Sequence, residues 1–124
     1  MKKSAALPFS ESALQAQLCN YLDLSIRPGL HWSSIENGGK RHLLTAVRLK
    51  KQGVKAGTPD MFFMLPEGRI AWLELKIKGG ALSPPQQVFR DTARRLGHHW
   101  AVARTLDEAI DYLTPLGVLK ARTV

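Results

Sequence analysis

Three ionisable side chains stand where a small protein usually keeps apolar ones. In GTPDMFFMLPEGRIAWLELK, residues 57–76, Asp60 opens one apolar run, and Glu74 and Lys76 close the next. Residues two apart on a strand share a face, so Glu74 and Lys76 point one way while Leu73 and Leu75 point the other. If the two runs pair as a hairpin, Asp60 joins Glu74 on that face only when the numbers of paired residues sum to an even value. That requires an odd-length loop or a bulge near residues 66–69. Two carboxylates held together repel unless a cation lies between them, and oxygen donors of this kind suit a hard ion, Mg2+ or Mn2+. Such an ion can polarise a phosphate oxygen and acidify a bound water, and Lys76 would lie close enough to orient that water or offset charge in the transition state. The competing reading is an ordinary Glu–Lys pair at the rim of a sheet.

Two more polar residues fall in positions that bear on this choice. Glu11 shares a helical stripe with Leu14 and Leu18, which directs its carboxylate to the core side, where it needs a cation; as a first-turn acid it also suits the helix dipole. Gln86 precedes Phe89 and Ala93 by three and seven residues, on the inward edge of its helix, and equally completes a capping box with Ser83. Zinc chemistry has no ligand set here: Cys19 is the single cysteine, and His31, His42, His98 and His99 are scattered, reading as phosphate contacts or surface residues.

Positioning these groups takes a plan of alternating elements. Ser10 caps a helix over 11–24, ended by Arg-Pro-Gly. A short strand in LHWSSIENGG leads to a second helix, KRHLLTAVRLKKQG, with Gly53 as its stop. Residues 60–65 and 70–76 form the hairpin, with Pro-Glu-Gly-Arg as its turn. Ser83, Pro84 and Gln86 start a third helix that runs to about Leu96 before Gly97. The strand HWAVAR follows, and Thr105 with Glu108 opens a last helix to about Leu113. The order α-β-α-β-β-α-β-α predicts an α/β fold with a mixed central sheet flanked by helices. The 124 residues form one domain, with a core over about 10–113 and tails at 1–9 and 114–124.

Composition narrows the partners. Eighteen Lys and Arg against ten Asp and Glu leave a charge of +8, a field that attracts polyanions, nucleic acid first among them. No apolar run approaches the roughly 20 residues that span a bilayer, and MKKSAALPFSE has no sustained apolar stretch, so an unexported, cytoplasmic protein is expected. The lone Cys19 suits a reducing interior, as a small buried side chain. Trp32, Trp72 and Trp100 lie in or beside the strands and read as core or interface.

GVKAGTPDMFF, WLELKIKGGALSPPQ and the helix around SESALQAQL together resemble the VRR-NUC (virus-type replication-repair nuclease) branch of the PD-(D/E)XK nuclease superfamily, from about Ser10 to Leu113. The bare P-D…E-x-K pattern is weak; the Gly-Thr-Pro-Asp segment, the Glu-Leu-Lys and the Gly-x-Leu-Ser-Pro-x-Gln stretch in this order make it specific. The resemblance implies a restriction-endonuclease-like fold and hydrolysis of DNA phosphodiester bonds with one or two Mg2+ ions. It implies metal binding by Glu11, Asp60, Glu74 and the carbonyl of Leu75, with Lys76 and Gln86 completing the catalytic set. Pro85 stands where such sequences often carry an acidic residue, a change a first helical turn tolerates. Stand-alone members resemble junction-resolving enzymes, which implies a homodimer acting on branched DNA such as four-way junctions in a bacterial cell or a phage-infected host.

A path for the DNA backbone follows from the basic residues. Arg41, Arg48, Lys51 and Lys55 fall in one sector of the second helix, and Lys40 and Lys78 extend the stripe. Two alternatives differ in class: a catalytically silent basic DNA-binding module in a phage or repair assembly, and a basic RNA-associated protein whose Glu-x-Lys is incidental.

Overall fold

The computed structural model describes residues 10–36 and 43–120, with the backbone alone at 43–46. The elements are α1 (Glu11–Ser25), β1 (His31–Ser34), α2 (Leu43–Lys51), β2 (Met61–Met64), β3 (Ile70–Leu75), α3 (Pro84–Arg95), β4 (His99–Ala103) and α4 (Leu106–Leu113). Their order is α-β-α-β-β-α-β-α.

Local signals account for the helix starts. The Ser10 hydroxyl accepts from the Ala13 amide at 3.0 Å, and the Thr105 hydroxyl accepts from the Glu108 amide at 3.1 Å, each satisfying a donor that the first turn leaves open. Glu108 completes its cap one residue earlier than a regular capping box, accepting from the Arg104 amide at 2.7 Å. At Ser83 both halves of the box form.

The strands lie in the order β1-β2-β3-β4, with the first three antiparallel and β4 parallel to β3. The parallel step needs a crossover, which α3 supplies. On one face Met61, Phe63, Ala71, Leu73 and Leu75 meet Leu14, Leu18 and Leu22 of α1 and Ala109 and Leu113 of α4, almost all of them fully buried. Burying each of these larger side chains is worth roughly 1.5–3 kcal/mol, so this face holds most of the core. On the other face Trp72 and Glu74 meet Phe89 and Gln86 of α3, with Phe62 beside Trp72.

The hairpin register pairs Met61 with Leu73 and Phe62 with Trp72, an even-numbered register. The five residues Leu65 to Arg69 make the odd-length loop this requires; a single 3-10 turn spans Pro66–Gly68, and Glu67 and Gly68 both take positive φ. One further step of the same register sets Asp60 opposite Glu74, and the Ile35 amide donates to the Asp60 carbonyl at 2.8 Å, prolonging the β1–β2 ladder.

Two details differ from the sequence reading. Gly53, at φ 94°, ends α2 beyond Lys51, so Lys55 lies in the following loop and not on the helix with Arg48 and Lys51. The chain after α4 is also packed: Val118 is fully buried, its carbonyl accepts from the Arg27 amide at 2.8 Å, and Lys120 donates its amide to the Ser25 carbonyl at 2.7 Å. An apolar Val-Leu following Gly117 carries too short a pattern to distinguish from a tail in sequence alone.

Candidate active site

Glu74 is the one buried charged residue among those described, 2 % exposed at the end of β3. Strand alternation forces it there: with Leu73 and Leu75 committed to the core face, residue 74 must enter the layer between the sheet and α3. Its Oε2 accepts from Gln86 Nε2 at 3.0 Å, while Gln86 Oε1 accepts from the Ser83 amide at 2.9 Å. One amide side chain thus closes the cap of α3 and orients the buried carboxylate. The two readings of Gln86 are both realised, because an amide has a donor end and an acceptor end.

Asp60 faces Glu74 across the hairpin. Its Oδ2 accepts from the Leu75 amide at 2.7 Å, taking a ladder donor that β2 no longer reaches. A residue's N–H and C=O leave a strand on the same side, so the Leu75 carbonyl is also turned toward Asp60. The Glu74 carboxyl is pushed up to about 8, chiefly by burial, then by the Asp60 charge and a hydrogen bond with Asp60; Lys76 offsets part of this, and Glu11 adds a smaller push. Glu74 therefore holds a proton near neutral pH in the absence of a cation.

The approach to Asp60 is shaped by Gly57. Its φ of 88° suits glycine, and a Cβ there would run into the Pro85 carbonyl at the start of α3. Thr58 anchors the same loop by donating to the Lys55 carbonyl at 3.0 Å, and Pro59 is buried.

The remaining expected residues divide. Lys76 follows Glu74 on the same face, half-buried, close enough to favour the Glu74 anion. Glu11 differs from its expected inward direction: it is exposed on the first turn of α1, near enough to act on Glu74 through its charge. The stripe it shares with Leu14 and Leu18 leaves the core edge one turn early, where water solvates a carboxylate at no cost. Among the described residues, no three His, Cys, Asp or Glu side chains close into a metal cage. The donors that this face brings together, the Asp60 and Glu74 carboxyls, are all oxygen, and the raised Glu74 carboxyl marks a place that favours positive charge. This donor set fits a hard divalent cation. Arg48, Lys51, Lys55 and Lys78 are exposed, as phosphate contacts must be; Lys40 and Arg41 lie outside the described residues.

Sequence reasoning missed Arg104. Its Nη1 donates to the Ile77 carbonyl at 3.0 Å and the Gly80 carbonyl at 2.6 Å, clamping the turn that links Lys76 to the α3 cap. An arginine after a strand gives no signal of such a role, because its carbonyl partners lie 24 and 27 residues away.

No family model matches the sequence, and no curated protein does. Solved structures do. A VRR_NUC domain protein superposes with a TM-score of 0.68 at 21% identity, over 87% of this chain and 88% of that one. A second structure, a VRR_NUC domain, gives 0.54 at 19% identity over 85% and 94% of the two chains. The four-stranded mixed sheet with its helices is the VRR-NUC fold.

Proposed function

We propose that this VRR-NUC-fold chain is a metal-dependent endonuclease that hydrolyses phosphodiester bonds of DNA, acting as a homodimer on branched substrates. The observation that carries this reading is the Asp60–Glu74 pair, a half-buried and a buried carboxyl in apposition beneath a helix cap, with Lys76 on the same face. A structural sheet gains nothing from such a pair, since a buried carboxylate beside a second one costs several kcal/mol that a proton or cation must offset.

Asp60, Glu74 and the Leu75 carbonyl would hold Mg2+ or Mn2+, with Glu11 completing the shell from α1. When bound, the ion supplies Lewis-acid stabilisation of the phosphate and acidifies water. Gln86 fixes the direction in which the Glu74 carboxylate faces, and the Leu75 amide does the same for Asp60. Lys76 places an ammonium where negative charge accumulates on the phosphate. Arg48, Lys51, Lys55 and Lys78, together with Lys40 and Arg41, contact backbone phosphates on either side of the scissile bond.

Cleavage of plasmid and four-way-junction DNA in Mg2+, Mn2+ or EDTA tests this. Wild type should cut only with metal. Asp60→Ala and Lys76→Ala should lose about 100-fold or more while Asp60→Ala still binds the junction. Failure of wild type to cut any substrate with either metal defeats the proposal and leaves a DNA-binding module.

A further inference from the structure

The face of the sheet that carries Asp60 and Glu74 also carries a run of rings. His31, Phe62 and Trp72 alternate onto it from β1, β2 and β3: His31 meets Phe62 at 6.0 Å between centroids and Phe62 meets Trp72 at 6.2 Å. Phe89 of α3 stands edge-on to Trp72 at 4.9 Å, and His98 lies beside it at 6.1 Å, near-parallel. The indole is fixed, its N–H donating to His98 Nδ1 at 2.8 Å.

This face is not closed as the other one is. Among the described residues, the helix packed on it is α3, which lies over β4. Over β1 and β2, among the described residues, His31 is exposed, Phe62 is half-buried and Met64 is 52 % exposed, while Trp72 on β3 is half-buried at the edge of α3. A connected aromatic patch on a soluble domain marks a binding surface.

Its position selects the occupant. Phe62 is two residues from Asp60 and Trp72 two residues from Glu74, on the same face, which is about 7 Å along each strand. At about 3.4 Å of rise per nucleotide, that is one or two nucleotides from a phosphate held at the carboxylates. The field of a +8 domain brings a polyanion to the surface, and ring faces hold unpaired bases by stacking without regard to sequence. Paired bases inside a duplex offer their edges and cannot stack in this way.

We infer that the His31–Phe62–Trp72 face is a stacking platform for unpaired nucleotides next to the scissile phosphate, so that the substrate class is DNA with a single-stranded segment at the cut. The inference rests on the nuclease reading for the word "scissile", but binding can be measured apart from cutting. Fluorescence anisotropy in EDTA compares a single strand, a flap and a blunt duplex of equal length on wild type, Phe62→Ala and Phe62→Leu, with circular dichroism confirming the fold. Wild type should favour the single strand and flap over duplex. Phe62→Ala should weaken those two about tenfold and leave duplex unchanged, with Phe62→Leu between. A 2-aminopurine placed beside the cut should be quenched by wild type and less so by Phe62→Ala. Equal affinity for duplex and single strand, or no effect of Phe62→Ala, overturns the inference. So does sedimentation showing self-association that Phe62→Ala abolishes, which would assign the face to a second copy of the chain. If the single-strand preference and its loss in Phe62→Ala appear while no metal supports cutting, the platform stands and the nuclease reading falls; if cutting proceeds with no such preference, the reverse holds.

Discussion

Gln86 Nε2 lies 3.0 Å from Glu74 Oε2, and the other end of the same amide closes the cap of α3. The start of a helix and the direction of a buried acid are therefore one structural unit. Gln86→Ala should lower unfolding free energy by about 1–3 kcal/mol in urea titration, combining a lost cap with a buried acid that has lost a donor. Ser83→Ala removes only the serine half of the cap and should cost about 1 kcal/mol with a smaller effect on cleavage. Equal losses of activity in the two variants would show that Gln86 acts only through the helix.

Glu74 makes stability depend on pH. Its carboxyl titrates at about 8 in the folded protein against an ordinary 4.5, so the folded state holds a proton that the unfolded state has released. The contribution is fully present below 4.5 and is lost as pH rises through about 8, with a size on the order of a few kcal/mol. Metal-free protein should thus show a thermal midpoint that falls over this range, and Glu74→Gln should flatten the profile. A wild-type profile no steeper than that of Glu74→Gln would count against a proton held on Glu74.

The same proton competes with a cation. Mg2+ or Mn2+ should raise the thermal midpoint, and more at pH 8 than at pH 6, because the ion displaces a proton when it binds. Asp60→Asn and Glu74→Gln should abolish the metal-induced rise, and calorimetry should record proton release on binding to wild type. A rise that is independent of pH would mean the ion binds elsewhere.

Much of this arrangement is visible in the sequence, and the reasons it stops are physical. The even register of the hairpin follows from parity: Asp60 and Glu74 share a face only if the loop is odd, and five residues join β2 to β3. The capped helix starts were legible because Ser and Thr caps act within one turn. Arg104 was not, since its carbonyl partners lie far along the chain; nor was the packing of Val118, whose short apolar stretch has no period. Glu11 was misdirected because a helical stripe reports a direction around the axis and says nothing about where the core ends along it.

Gly57 gives a backbone test. With φ at 88° and the Pro85 carbonyl where a Cβ would stand, Gly57→Ala must either strain the loop or push it off α3. Loss of more than about 1 kcal/mol in stability is expected. Cleavage should fall together with it, because the loop leads into Asp60. Gly53→Ala also meets a positive φ but nothing within 4 Å, and should cost stability without the same loss of activity. Similar activity in both variants would separate the loop from the site.

Salt dependence tests the basic path. Each Lys or Arg that neutralises a phosphate contributes about 0.9 to the slope of log affinity against log salt for duplex DNA. Arg48→Ala, Lys51→Ala, Lys55→Ala and Lys78→Ala should each weaken binding in EDTA and reduce that slope by about one, without changing preference between sequences. Lys55 is the most informative of the four. It lies off α2, yet the loop it occupies receives the Thr58 hydroxyl and runs on to Asp60, so a phosphate contact there would hold the strand directly upstream of the carboxylates. An unchanged slope for Lys55→Ala with a reduced one for Arg48→Ala would confine the backbone path to the helix; no change in any of the four would remove this surface from DNA binding altogether.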